Sequence, residues 1–297
     1  MGGRRRRAAA RPDPVVRVRL EAVKGPQPDL TVVVPFYNPG PIVRDTVAGI
    51  VDVLCRLGAT FEVIAVADGC TDGSELTLDG LAPELVRCVR LPLRGGKGQA
   101  VRTGLAQGRG RYLGFIDGDG DVPPELLADF LEIAWNERPD IVLGSKRHPD
   151  SQVVYPLARR LYSWGYQQLV ALLFRMHVRD TQAGIKLVRR DVLEAVLPAM
   201  REDGYAFDLE LLVLALRQGF RHQREAPVRI GRRFSSTVSV RVVGEMLADT
   251  LAIWWRLRVR RSYPPVVDQA EARPAAGVGH VVRMPAPPVL LDVARQD

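Results

Sequence analysis

The chain has 297 residues, room for one large domain or two small ones, and its 46% hydrophobic and 26% charged content is that of an ordinary globular protein. A formal charge of +8 favours anionic partners such as nucleic acid, phospholipid head groups or phosphorylated substrates, although part of it sits in "RRRR" at 4–7. The three cysteines form no CxxC pair and share no metal-ligand spacing with the four histidines, so a reduced, cytosolic chain is expected.

Residues 1–28, rich in Arg, Ala and Pro, read as a disordered basic arm. "LTVVVPFY" (30–37) is a predicted strand, and 42–57 has helical spacing. A strand follows at 61–68 and a shorter one at 87–92. A helix at 98–108 ends in glycine, a strand spans 112–119, a helix 124–136 and a strand 140–145. This alternation predicts an α/β fold with a mostly parallel central sheet flanked by helices, over 29–237. Two amphipathic stretches, 156–178 and 238–261, combine arginines, aromatic residues and apolar positions. Such stretches either lie in a membrane interface or pack on the domain. The Pro- and Ala-rich end, 264–297, reads as a disordered tail. No stretch is apolar enough over about 18 residues to span a membrane; "LVALLF" at 169–174 is ended by Arg175.

In open α/β sheets ligands bind beyond the carboxyl ends of the strands. The polar clusters "PFYNPG", "ADGCTDGS" and "DGDGD" follow predicted strands and should meet on one rim. Asp117 and Asp119, separated by Gly118, are like charges whose repulsion a hard divalent cation relieves. The same residues also suit a polar turn, with Asp121 at or near the cap of the next helix. "LRGGKGQAVRTGL" (93–105) offers backbone N–H groups and Lys97 to a phosphate at a helix start, or else is a glycine turn with a solvated lysine. It is not a P-loop, because GxxxxGK[ST] is absent.

"VVVPFYN", "VADGCTDGS", "GGKGQAVRTGL", "FIDGDGD" and "GSKRH" occur in an order that resembles the family-2 glycosyltransferases of GT-A fold. "RDTQAGIKLVRRDVL" (179–193) and "GYAFDLELLVLA" (204–215) resemble the branch with dolichyl-phosphate β-glucosyltransferase and dolichyl-phosphate mannose synthase. The resemblance implies a nucleotide-sugar donor, a Mg²⁺ or Mn²⁺ ion and a polyprenyl-phosphate acceptor. It implies that Pro35, Tyr37 and Asp68 line the base and ribose pocket, with Lys97 and Arg102 near the donor. Asp117 and Asp119 match the metal-holding DxD. Lys146, Arg147, Arg159 and Arg160 are candidates for the acceptor phosphate. Asp180 and Gln182 should lie near the donor sugar, and Asp208 and Glu210 correspond to the acidic pair that supplies a base in many relatives. Pro39, Ala67, Cys70 and the segment "GRRFSST" depart from the family pattern.

The expected reaction inverts the anomeric centre. A phosphate acceptor needs no base, because its second pKa is about 6; Asp208, Asp180 and Gln182 then orient groups rather than take a proton. UDP-glucose is the expected donor, with GDP-mannose and a soluble sugar acceptor as alternatives. The acceptor implies a cytoplasmic protein peripheral at the inner face of the membrane, met through 238–263 and 156–178. That arrangement leaves room for a membrane-spanning protein partner and for a homo-oligomer. Nucleic-acid binding is not expected, as no helix-turn-helix, zinc or RRM signature is present.

Overall fold

The computed structural model describes residues 26–153, 157–176, 180–230 and 240–263. The predicted arm (apart from 26–28), the predicted tail and "GRRFSST" lie outside the described residues, as do the side chains of Arg159 and Arg160.

The strands β1 (Leu30–Phe36) and β2 (Phe61–Asp68) are buried at every residue. Runs rich in Val, Ile, Ala and Phe suit strands covered on both faces, and the buried Thr31 and Glu62 between them bond each other. They pair in parallel, and β2 continues in parallel to β3 (Val86–Leu91). On the other side β1 pairs in parallel with β4 (Tyr112–Ile116). β7 (Ile185–Arg189) then runs antiparallel between β4 and β5 (Ile141–Ser145), and β8 (Gln223–Pro227) closes the edge parallel to β5. The seven-stranded order is β3-β2-β1-β4-β7-β5-β8; β6 (Gln152–Val153) and β9 (Arg229–Ile230) form a separate short ladder. The expected mostly parallel sheet is therefore present, with one reversed strand that no sequence pattern announced.

Alternate strand residues feed two cores. One face, with Val32, Val34, Val63 and Ile116, packs on the helices α1 (Ile42–Arg56) and α3 (Leu126–Glu137). α1 buries Val43, Val47, Ile50 and Leu54, an i, i+4, i+7, i+11 stripe. The opposite face, with Val33, Ile64, Leu113 and Phe115, packs on α2 (Lys97–Gln107), α5 (Arg190–Val196) and α6 (Phe207–Arg217). α4 (Leu157–Phe174) and α7 (Val240–Arg258) cover the same side through Tyr166, Val170 and Ile253. They also share a hydrogen bond between the Tyr166 and Thr250 hydroxyls at 3.0 Å.

Two boundaries move by more than one residue from their predicted places. β4 ends at Ile116, so Asp117 and Asp119 stand beyond the strand. α3 starts at Leu126 with no side-chain cap, and Asp121 instead donates its N–H to the Asp119 carboxylate at 3.1 Å. The turn reading thus holds locally, but Asp121 does not cap the helix.

The parallel strands β1, β2, β4 and β5 end on one rim. Because β7 is reversed, its start lies there too, with Ile185 beside Ile116. The segment Asp180–Gly184, which leads into β7, is thereby brought to the ends of β4 and β5.

Candidate active site

Asp68, at the end of β2, is buried and accepts the N–H groups of Gly95 and Gly96 at 2.7 and 2.9 Å. It fixes the turn that starts α2. Gly96 has φ +103°, and a Cβ there would stand 2.4 Å from the Asp203 carbonyl oxygen, so glycine alone fits. Pro35, buried in β1, accepts the Gly118 N–H at 3.3 Å and so locates the aspartate loop. Tyr37 is 40% exposed, with the Arg94 guanidinium 4.0 Å above its ring. A ring presented at the rim is available to a ligand rather than spent on the core.

Beyond β4, five charged side chains gather. Lys97 Nζ lies 2.6 Å from Asp117 Oδ1. Burial works against the Lys97 charge, but Asp117 and then Asp208 outweigh it and raise its pKa. Asp119 stands at the surface, yet partial desolvation, followed by the charge of Asp117, raises its pKa. Asp208, in the first turn of α6, lies with its Oδ1 2.8 Å from Nζ of Lys186. Lys186 has no exposed surface; it donates to the Ala183 carbonyl at 3.0 Å and lies 5.3 Å from the Phe115 ring centroid. Burial pushes Asp208 up and Lys186 down, and each partner resists the other's shift.

Asp117 and Asp119 fit a divalent ion. Both offer hard oxygen donors, and their mutual repulsion is what such an ion relieves. Gly184 keeps the wall small: a Cβ there would stand 2.5 Å from Asp117 Oδ2. Among the described residues, Cys70, Asp72 and Glu75 also converge. The Asp72 carboxylate is already engaged there, by the Gly40 N–H at 3.0 Å and by Ser74.

The remaining predicted residues divide. Asp180 accepts the backbone N–H groups of Lys146 and Gln182, at 3.1 and 3.0 Å, with Lys146 Nζ 3.6 Å away. Lys146 Nζ also donates to the Gln182 carbonyl, and the Gln182 amide reaches Met246 of α7. Arg147 is half-buried beside them. Arg102 is engaged by protein groups: it donates to the Met200 carbonyl and pairs with Asp203, whose carbonyl bonds the start of α2. Glu210 parts company with Asp208. It is fully buried and accepts the N–H groups of Arg201 and Glu202 at 2.8 Å, and it also receives Arg256 and the Tyr263 hydroxyl. Its place is that of a brace. Sequence reasoning missed Lys186; the available signal was a lysine inside the apolar run "GIKLV".

A mostly parallel α/β sheet with paired carboxylates past its central strand and a lysine-bearing glycine turn defines a nucleotide-sugar-binding GT-A fold. The Glycosyl transferase family 2 model matches residues 31–197, and the chain belongs to that family. Over 237 residues it is 32% identical to glycosyltransferase AglD of Haloferax volcanii, covering 78% of this chain and 38% of that protein. It is 33% identical to a dolichyl-phosphate beta-glucosyltransferase of Drosophila melanogaster, over 64% of this chain and 63% of the relative. The chain thus spans less than two thirds of these relatives' lengths. Glucosyl-3-phosphoglycerate synthase from Mycobacterium tuberculosis, crystallised with Mn²⁺, UDP and phosphoglyceric acid, shares the fold. The TM-score is 0.59 at 19% identity, over 84% of this chain and 88% of the other.

Proposed function

We propose that this protein transfers a hexose, glucose from UDP-glucose, to a polyprenyl phosphate with inversion at the anomeric carbon. The observation that carries the reading is the Asp117–Asp119 pair with Lys97 at the end of β4, in a chain similar to dolichyl-phosphate beta-glucosyltransferases. Tyr37 presents its ring to the base, and the turn held by Asp68 brings Lys97 to the diphosphate. Asp117 and Asp119 would hold a Mg²⁺ or Mn²⁺ ion, which when bound would supply Lewis-acid stabilisation of negative charge on the nucleotide diphosphate. Lys97 adds a fixed positive charge where that negative charge develops.

Asp180 orders the Lys146 and Gln182 backbone beside the sugar. Lys146, Arg147 and, from α4, Arg159 and Arg160 receive the acceptor phosphate. That phosphate attacks as an anion, so Asp208 serves as a buried counter-charge rather than a base. α4 and α7 bring the rim to a membrane surface, where the prenyl chain stays; a spanning partner or a second copy of the chain is compatible with that geometry.

The test is a donor screen with extracted polyprenyl phosphate, following release of UDP against GDP. UDP released from UDP-glucose only when the lipid is present supports the reading. GDP release from GDP-mannose would reassign the sugar. Transfer to a soluble acceptor without lipid would overturn the acceptor.

A further inference from the structure

The Lys97 ammonium is paired with a carboxylate that the proposed metal ion would also need. It sits 2.6 Å from Asp117 Oδ1, while Oδ2 backs onto Gly184. Its Nζ lies 5.6 and 6.0 Å from the ring centroids of Phe115 and Phe207, which pack 5.3 Å apart. The backbone is anchored, so any exchange of partners is a movement of the side chain. Lys97 is the first residue of α2, Asp68 holds the two glycines before it, and the Gly98 and Gln99 N–H groups bond the Asp203 carbonyl. The other neighbouring carboxylate, Asp208, already has Lys186. An ammonium and a divalent cation repel strongly on one carboxylate in a partly desolvated site. A cation that takes Asp117 must therefore separate it from Lys97.

We infer that Lys97 is an internal competitor of the divalent cation, holding Asp117 until a nucleoside diphosphate offers its ammonium another anion. The exchange is a swap of partners: Lys97 passes to the diphosphate, and the cation passes to Asp117. Metal and nucleotide then bind with positive coupling, and by linkage each tightens the other by the same factor. The inference rests on the metal reading proposed above. It goes beyond that reading by giving Lys97 opposite effects in the two states: it opposes metal in the free protein and favours the diphosphate in the loaded one.

The experiment is a Mn²⁺ titration of the full chain followed by the spin-resonance signal of free Mn²⁺, first alone and then with saturating UDP. Without UDP, Lys97→Met should bind Mn²⁺ about tenfold tighter than wild type. Lys97→Arg keeps the charge and should stay near wild type. Lys146→Met, which removes a lysine paired with Asp180 instead, controls for general charge and should change affinity by less than about threefold. With UDP, the gain in Mn²⁺ affinity should be smaller for Lys97→Met than for wild type. Thermal unfolding of each variant shows whether it is folded. If Lys97→Met binds Mn²⁺ no tighter than wild type, or Lys146→Met gains as much, the competition does not exist. If wild type with UDP binds no Mn²⁺, or Asp119→Asn binds it equally well, the metal site itself is misplaced and the inference falls with it.

Discussion

Lys186 has no exposed atom, and an ammonium out of water is tolerated only when paired and hydrogen-bonded. The Asp208 carboxylate, the Ala183 carbonyl and the Phe115 ring supply what water would have supplied. Lys186→Met strands Asp208 as a buried, unpaired carboxylate, and the expected cost is about 3–5 kcal/mol in urea unfolding. Adding Asp208→Leu should recover most of it; a double variant as unstable as the single one would show that the pair does not act as a unit. Asp119 makes the opposite case. It stands at the surface, and its hydrogen bond from Asp121 is one that an asparagine oxygen retains. Asp119→Asn should therefore leave the unfolding transition in place while lowering transfer by about 10²–10³. Full activity in this variant, or full activity of wild type in excess chelator, would remove the metal from the mechanism. The two residues also mark what a sequence can disclose. Asp117 and Asp119 were legible because their meaning is local: like charges at the end of an apolar run. Lys186 was not, because its partner belongs to another element and only the fold joins them.

At the level of elements the brace around Glu210 explains how α7 is held. The Glu210 carboxylate joins α6 to the Arg201 and Glu202 backbone, and Arg256 of α7 and Tyr263 just beyond that helix close on it. Arg256 lies in the stretch 238–261, read from the sequence as either membrane-facing or packed on the domain, and it turns inward to Glu202 and Glu210. Burial pushes the Glu210 carboxyl up to about 7, against the hydrogen bonds that oppose the shift. The folded state then holds this proton more tightly than the unfolded chain. Stability from the group is fully present below its ordinary value of 4.5 and is lost as pH rises through about 7. Glu210→Gln fixes the neutral form. It should gain on wild type by roughly 2–3 kcal/mol between about pH 5 and pH 8, read by urea unfolding at both. A constant difference would mean that the carboxyl titrates at its ordinary value in the fold. Elements whose pattern was strong, such as the Val-rich β1 and the striped α1, were legible. β7 was not: "IKLVR" carries charge at two of its five positions, and its direction depends on β4 and β5 already lying apart to receive it.

For the whole molecule, the question is how a chain whose described helices are none of them long and apolar enough to cross a bilayer would reach a prenyl chain. α4 leaves Trp164 and Leu172 exposed, α7 leaves Leu251 and Trp255 exposed, and Val259 is exposed just past its end. Leu251 and Trp255 are four residues apart and so share a side of the helix axis. Arg258, Arg260 and Arg261 are exposed next to them. α7 meanwhile packs on the domain through Ile253 and Arg256. It is thus a helix packed on the domain with an apolar strip left exposed, so the packing alternative holds and does not preclude a membrane contact. Deleting residues 250–261 would test folding more than membrane contact, because it removes those anchors. Leu251→Ser with Trp255→Ser touches only the exposed side. Each arginine near an anionic surface contributes about 1 kcal/mol, screened by salt. The protein is expected to co-sediment with liposomes containing phosphatidylglycerol, less so at high salt, and the double-serine variant should bind several-fold more weakly with an unchanged melting transition. Equal binding by that variant would place the contact elsewhere. No binding by wild type at low salt would mean that the membrane is reached through a partner rather than through α7.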